Sequence, residues 1–241
     1  MSRIQFSGGL AWHWQAWRSL SKWKPTTELI SQWLTRVNVH THHATLVLVG
    51  SSAGWMMASP WLCQFKEIKI FDIDPLAAPL FKWRHGKSLS DSGTQLTCFK
   101  TDALANLTSI LTANPSAFIF FDNLLGQLRF MHPSPDATEK ELQKLMRQLK
   151  GRSWGSLHDR MSGKVQPSSS TNESMSSQIV KGHFKKDLEI QAWLNSMQAQ
   201  SPWLDHLTQD IFPEDTEVQN FKWAFNDQYW HWLQAGWVNP K

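Results

Sequence analysis

The sequence predicts an α/β protein whose sheet is doubly wound and mostly parallel, closed by a C-terminal antiparallel hairpin and preceded by a helical N-terminal cap. Three observations carry this expectation. Between residues 44 and 157, short β-branched or aliphatic runs alternate with segments of helical period. Those runs end in glycine, aspartate or an Asp-Asn pair, which is how strands end at a ligand-binding sheet edge. Finally, Phe221 to Phe225 and Tyr229 to Trp237 flank Asn226-Asp227, a tight-turn pair.

Each element follows from local pattern. Trp12 to Trp23 is aromatic and basic; Lys24-Pro25-Thr26-Thr27 punctuates it, and Leu29, Ile30, Trp33, Leu34 and Val37 resume at helical spacing. Two helices therefore form a cap over residues 1–43, ahead of one main unit at 44–241. Ala44 to Val49 is the first strand, and Trp55 to Cys63 reads as an apolar helix interrupted near Pro60. Glu67 to Phe71 is the second strand, with a helix from Leu76 to Trp83. Gln95 to Phe99 and Ala117 to Phe121 are the third and fourth strands. Asp136 to Lys150 places Leu142, Leu145, Met146 and Leu149 on one stripe, with Glu139 three residues after Asp136 and Gly151 at the end, the pattern of a capped amphipathic helix. Ser153 to Leu157 is a fifth strand terminating at His158-Asp159. Residues 162–178 are Ser-rich and read as a surface loop, with a lid over the site as the alternative. Ile190, Trp193, Leu194 and Met197 mark a further helix.

Composition narrows the class. With 241 residues, 41% hydrophobic and 18% charged, the chain can bury one substantial core. A net charge of +4 is too small to demand a nucleic-acid partner. Cations and indoles do alternate at Arg3, Arg18, Lys22 and Lys24, but a packed cap with a solvated basic face explains them better. Cys63 and Cys98 belong to no metal-ligand run, and His40, His42 and His43 read as a polar turn, so no metal is expected. No apolar stretch reaches bilayer length and no signal-peptide core opens the chain, which reads as cytoplasmic. Fifteen Trp beside one Tyr is the compositional oddity, best used in core and pocket walls.

The chemistry gathers at the strand ends. Gly50-Ser51-Ser52-Ala53-Gly54 follows the first strand, and Asp72 lies about twenty residues beyond that turn, the spacing of a carboxylate that accepts from both hydroxyls of a ribose. Asp102-Ala103 follows the third strand and Asp122-Asn123 the fourth. Leu46-Val47-Leu48-Val49-Gly50-Ser51-Ser52-Ala53-Gly54, Ile70-Phe71-Asp72-Ile73-Asp74-Pro75 and Asp102-Ala103-Leu104 together resemble the class I S-adenosylmethionine-dependent methyltransferases, a family with a Rossmann-like sheet. The likeness covers residues 44 to 125 by motif and the rest by element order.

The resemblance implies S-adenosylmethionine as cofactor. It implies that Gly50, Ser52 and Gly54 contact its methionine part, that Asp72 holds the ribose and that Asp102 contacts adenine. Ser51, Ile73, Ala103 and Asp122 join them as cofactor-binding residues. A small-molecule acceptor is expected, with Asp122, Asn123, His158 and Asp159 as catalytic candidates because all would share one sheet edge. His206 and His231 are assigned no role. Two features depart from the family pattern: Leu48 stands where an acid is usual, and Ser52 where a glycine is usual. Asp122-Asn123-Leu124-Leu125-Gly126 also lacks the Pro-Pro signature of amino-methylating members.

Two rivals follow from these residues. Gly50-x-Ser52-x-Gly54 spells the nucleophile elbow of α/β-hydrolases, with Asp159 and His206 following in triad order. A fold that has lost its cofactor and acts as a binding module is the other. A nicotinamide enzyme fits poorly, because Ser52 and Trp55 replace the glycines it needs.

Overall fold

The computed structural model describes residues 9–37, 42–166, 177–181, 187–200 and 202–239. Two helices come first, α1 (Gly9–Arg18) and α2 (Leu20–Val37). They are followed by β1 (Thr45–Val49), α3 (Ser59–Leu62), β2 (Glu67–Asp72), α4 (Ala77–Asp91), β3 (Gln95–Lys100), α5 (Leu107–Ala113) and β4 (Phe118–Asp122). The chain then forms α6 (Leu124–Met131), α7 (Pro135–Leu149), β5 (Trp154–Lys164), β6 (Ser177–Lys181), α8 (Asp187–Asn195), β7 (Leu204–Asp205), β8 (Glu217–Ala224) and β9 (Tyr229–Val238).

All strands join one sheet in the order β3-β2-β1-β4-β5-β9-β8-β6, with β7 also on β5. The first five pair in parallel, and β9, β8, β6 and β7 are antiparallel. This is a doubly wound Rossmann-like sheet with its chain reversal between β1 and β4, where such sheets open a crevice at their carboxyl ends. The period-two alternation of β1 sets the two faces. Leu46 and Leu48 enter a core with Trp23, Trp33, Trp61 and Phe120 under α1 to α4, while Val47 and Val49 enter another with Phe121, Leu125 and Leu145 under α5 to α7. No helix among the described residues is long and apolar enough to cross a membrane.

Several expectations need correction. The helix predicted over Trp55 to Cys63 is a single turn, Ser59–Leu62, because Ser52 and Gly54 both take positive φ and Pro60, second in the turn, fits only where its missing N–H is not needed. The break predicted at Lys24–Thr27 falls instead at Ser19: α2 runs through Pro25, and the buried Thr26 hydroxyl donates to the Lys222 carbonyl at 3.0 Å, pinning that turn to β8. The helix predicted from Asp136 is capped by Ser134, whose side chain accepts from Ala137 N–H, with Pro135 as its first residue.

The largest correction concerns the fifth strand. It does not stop before His158 but continues to Lys164, because β9 pairs with it from Trp154↔Val238 to Lys164↔Tyr229. A register shift between Asp159 and Met161 bends it there. Residues 162–166, read from sequence as the start of a loop, therefore belong to this strand and its continuation. The central part of that Ser-rich segment, 167–176, lies outside the described residues, as do Arg3 and His40.

Candidate active site

The turn after β1 is built on left-handed backbone. Gly50 has φ +67°, and a Cβ there would come within 2.9 Å of Leu124 Cβ; Gly54 has φ +63°, and a Cβ would meet His85 and Phe81 at 2.8 Å. Both positions require glycine on two counts. His85, buried and pushed down to about 4 by that burial and by Arg84, is neutral and contacts the Gly54 carbonyl at 3.3 Å, bracing the turn. Ser52 takes φ 51° without being glycine, a conformation costing an L-residue about 1–2 kcal/mol. Two bonds hold it there. Its N–H donates to Asp72 Oδ2 at 2.7 Å, and its Oγ accepts from the Trp12 indole N–H at 3.1 Å.

Asp72 thus joins the ends of β1 and β2. Burial raises its pKa above the ordinary carboxylate value, the N–H groups of Asp74 and Ser52 pull against that, and the Asp74 charge adds to the rise. Asp74 clasps α1, accepting from Gly9 N–H at 2.6 Å and from His13 Nε2 at 3.1 Å. Because the Trp55 indole donates to His13 Nδ1 at 3.1 Å, the His13 proton sits on Nε2. Burial works to raise Asp74, but these donors and the Leu76 N–H hold it below its usual value.

Between the ends of β1 and β4 lies a recess of about 30 Å³ lined by Trp12, Gly50, Ser51, Ser52, Trp55, Met56, Asp122, Asn123 and Trp223. Two buried polar atoms, Ser51 Oγ and Asp122 Oδ1, have no hydrogen-bond partner among the described residues. Burial, reinforced by the Asp72 charge, pushes Asp122 up to about 8, so it is a protonated carboxyl at neutral pH. That is room for about a water molecule or two, against about 300–1,000 Å³ for an ordinary ligand pocket. Trp12, stacked on Phe225 with ring centroids 6.1 Å apart, forms the wall that narrows it. A larger groove of about 630 Å³ between α7 and residues 207–211 contains none of the strand-end residues.

The fold brings Gly50, Ser51, Ser52, Asp122 and Asn123 to this recess, with Asp72 bonded to its rim. Asn123, in left-handed backbone at φ 55°, turns its side chain onto Asp159: its amide donates to Oδ2 at 3.0 Å and its carbonyl accepts from Asp159 N–H at 2.9 Å. Gly126 makes this possible, since a Cβ there would come within 2.9 Å of Asp159 Cβ and N. Other candidates lie apart. Ile73 is exposed, and Ala103 is buried in the core beneath α5 to α7. The exposed Asp102 accepts from Leu104 and Ala105 N–H groups at 3.0 Å. His158 is fully buried against Ser156 and Phe212, on the face of β5 opposite Asp159.

Two residues that sequence reasoning passed over complete the site. Asp159 Oδ1 and His231 Nδ1 are 2.7 Å apart, and Trp12 closes the recess. The hairpin turn at Asn226-Asp227 fixes the Trp223↔His231 pair and was a usable signal for His231. The pairing of β9 against β5 was not, because it depends on the length of β5. The hydrolase triad is not assembled: among the described residues no histidine bonds to Ser52, and His206 bonds to Ser162 Oγ and to the Gly126 carbonyl. No group of metal ligands occurs among the described residues.

No family model matches the sequence, and no curated protein matches it. Among solved structures, an O-methyltransferase family protein from Burkholderia thailandensis is 9% identical, with 93% of this chain and 58% of that chain covered and a TM-score of 0.44. The N-methyltransferase NodS from Bradyrhizobium japonicum WM9, in complex with S-adenosyl-L-homocysteine, is 12% identical, with 94% and 100% covered and a TM-score of 0.45. Magnesium protoporphyrin IX methyltransferase (ChlM) from Synechocystis PCC 6803 with bound SAM is 13% identical, with 97% and 88% covered and a TM-score of 0.45. At these values the fold assignment rests on the strand order of the sheet itself.

Proposed function

We propose that the protein transfers a methyl group from S-adenosylmethionine to a small-molecule acceptor. One observation carries the reading: the recess at the strand ends is lined by Asp122, whose Oδ1 has no partner among the described residues and whose carboxyl burial pushes up to about 8, while Asp72, also raised by burial, is bonded to its rim through Ser52. Such a recess favours a cation, since a positive charge beside Asp122 stabilises its ionised form. A sulfonium is a cation of that kind, and when bound it supplies an electrophilic methyl group.

In this reading the Gly50–Gly54 backbone holds the methionine part, Asp72 the ribose hydroxyls, and Asp102, with one carboxylate oxygen turned to the adjacent N–H groups, the adenine side. Asp122 and Asn123 lie at the reactive end. The polar groups fit this ligand; the closed volume does not, so binding requires Trp12 to leave Ser52. The free thiols Cys63 and Cys98 agree with a reducing, cytoplasmic setting.

Calorimetry with S-adenosylmethionine and the neutral S-adenosylhomocysteine tests the assignment. Proton release from Asp122 on binding the cation should make the preference for S-adenosylmethionine grow roughly tenfold or more from pH 6 to pH 9. Absence of binding by either compound would reject methyl transfer in favour of a binding module. A second expectation concerns the closure. Ser52→Gly removes both the left-handed strain and the Oγ that retains Trp12, and S-adenosylhomocysteine should then bind several-fold more tightly; unchanged or weaker binding would show that Trp12 is not the barrier.

A further inference from the structure

We infer that His231, held by Asp159, is a general base for a hydroxyl on an aromatic acceptor, which lies against the wall formed by Trp223, Phe225 and Tyr229. The inference rests on the methyl-transfer reading above and adds to it the acceptor class and the group that takes its proton.

Geometry sets the proton positions. Asp159 is fully buried, and although burial alone would raise it, the charge and hydrogen bond of His231, with His206 and Asn123, draw it down to about 2. It is therefore an ionised, acceptor-only group at neutral pH. Its Oδ2 is occupied by the Asn123 amide, and Oδ1 takes the Nδ1 proton of His231. That tautomer leaves the lone pair on Nε2, which has no hydrogen-bond partner among the described residues. The His231 side chain is 14% exposed while that of Asp159 is 0% exposed, so the dyad has a fully buried anchor and a partner that is partly open.

The surroundings define the acceptor. The His231 ring centroid lies 4.7 Å from Trp223 and 5.4 Å from both Phe225 and Tyr229. Trp223 and Trp12 also line the recess between Ser52 and Asp122, and Trp12 stacks on Phe225; Trp223 and Phe225 are buried here, so the departure of Trp12 from Ser52 that cofactor binding requires bares an aromatic face between the glycine turn and His231. Flat aromatic molecules are the natural occupants of such a wall. Among the described residues, the titratable groups facing His231 are Asp159 from β5, His206 from the segment after β7 and Tyr229 from its own strand. Lys222 on β8 is bonded to the Ser196 carbonyl on the other face. Burial lowers His206, and its Nε2 and the Tyr229 hydroxyl both meet Ser162 Oγ, which uses their hydrogen-bonding capacity within the cluster.

The step is a proton transfer. The acceptor O–H bond breaks, the proton moves to His231 Nε2, and the electron pair stays on oxygen, which becomes the nucleophile. The resulting imidazolium is stabilised by Asp159, which remains ionised throughout. Asn123 and Gly126 act as positioning residues, through Asp159.

4-Nitrophenol, whose phenolate is coloured, provides a readout that needs no turnover. Mixed with the protein at pH 6, with and without S-adenosylhomocysteine, it should bind with its ionised fraction raised about tenfold over that free in solution. His231→Gln should retain the fold and lose the phenolate band, and Asp159→Asn should lose it too, because an amide donor forces the opposite tautomer. Equal phenolate signal in wild type and His231→Gln, or no binding of 4-nitrophenol by the wild type, would overturn the inference. Wild-type protein that binds S-adenosylhomocysteine but leaves nitrophenol un-ionised refutes the dyad alone. Ionisation without any S-adenosyl binding upholds the dyad and refutes methyl transfer.

Discussion

Asp122→Asn is expected to raise the thermal unfolding midpoint at pH 8 and to leave it nearly unchanged at pH 4. The carboxyl titrates near 8 in the folded chain, against about 3.9 when unfolded. Between those values the folded state binds the extra proton, so stability falls as pH rises through that window and levels off above pH 8. An amide of the same shape carries no such penalty. The upper limit of the gain at pH 7 is about 4 kcal/mol, three pH units at about 1.4 kcal/mol each. Even half of that would move the midpoint by roughly 4–8 °C in a chain of this size. Differential scanning calorimetry across pH 4 to 9 reads it directly, and a difference that does not vary with pH would mean Asp122 is an ordinary ionised carboxylate.

Asp72→Ala should weaken S-adenosylhomocysteine binding by about 100-fold or more. Two charge-assisted bonds to ribose hydroxyls would be lost, each contributing about 1.5–3 kcal/mol. The same carboxylate also holds the N–H groups of Ser52 and Asp74, so the glycine turn loosens in the variant. Asp72→Asn separates these effects, because an amide oxygen still accepts one bond while its charge is gone. Near-UV circular dichroism reports whether the indoles of the turn and cap stay packed. Full affinity in a folded Asp72→Ala protein would remove the ribose assignment.

The parallel half of this fold was legible because its information is local. Leu46 to Val49 and Phe118 to Phe121 are too apolar for anything but buried strands, and Ile68, Ile70 and Phe71 mark a third despite Lys69 between them. The glycines at 50 and 54 were readable for the same reason, since left-handed backbone leaves little choice. What failed was long-range. Pro60 announces a break in the following helix, but not that the helix shrinks to one turn, because that also depends on Ser52 sharing the left-handed conformation. The extent of β5 is set by a partner some seventy residues later. His158 and Asp159 looked equivalent in sequence, yet a strand running through them points one into each face. Only Asp159 meets Asn123 and His231.

The cap and the hairpin have a consequence for how the molecule is made. The Trp23 indole donates to the Phe225 carbonyl, Thr26 to the Lys222 carbonyl, and Lys22 pairs with Asp227. These contacts join segments some two hundred residues apart in the chain. A ribosome releases the tryptophan-bearing helices some two hundred residues before the β8–β9 hairpin, so the part of α2 that docks on that hairpin waits for it, although Trp33 already has Phe120 of β4 to pack against. Docking of the cap on the hairpin is thus a late event in folding, slowed by the long loop it must close. Indole fluorescence during refolding should report it as the final phase, after the parallel sheet has formed.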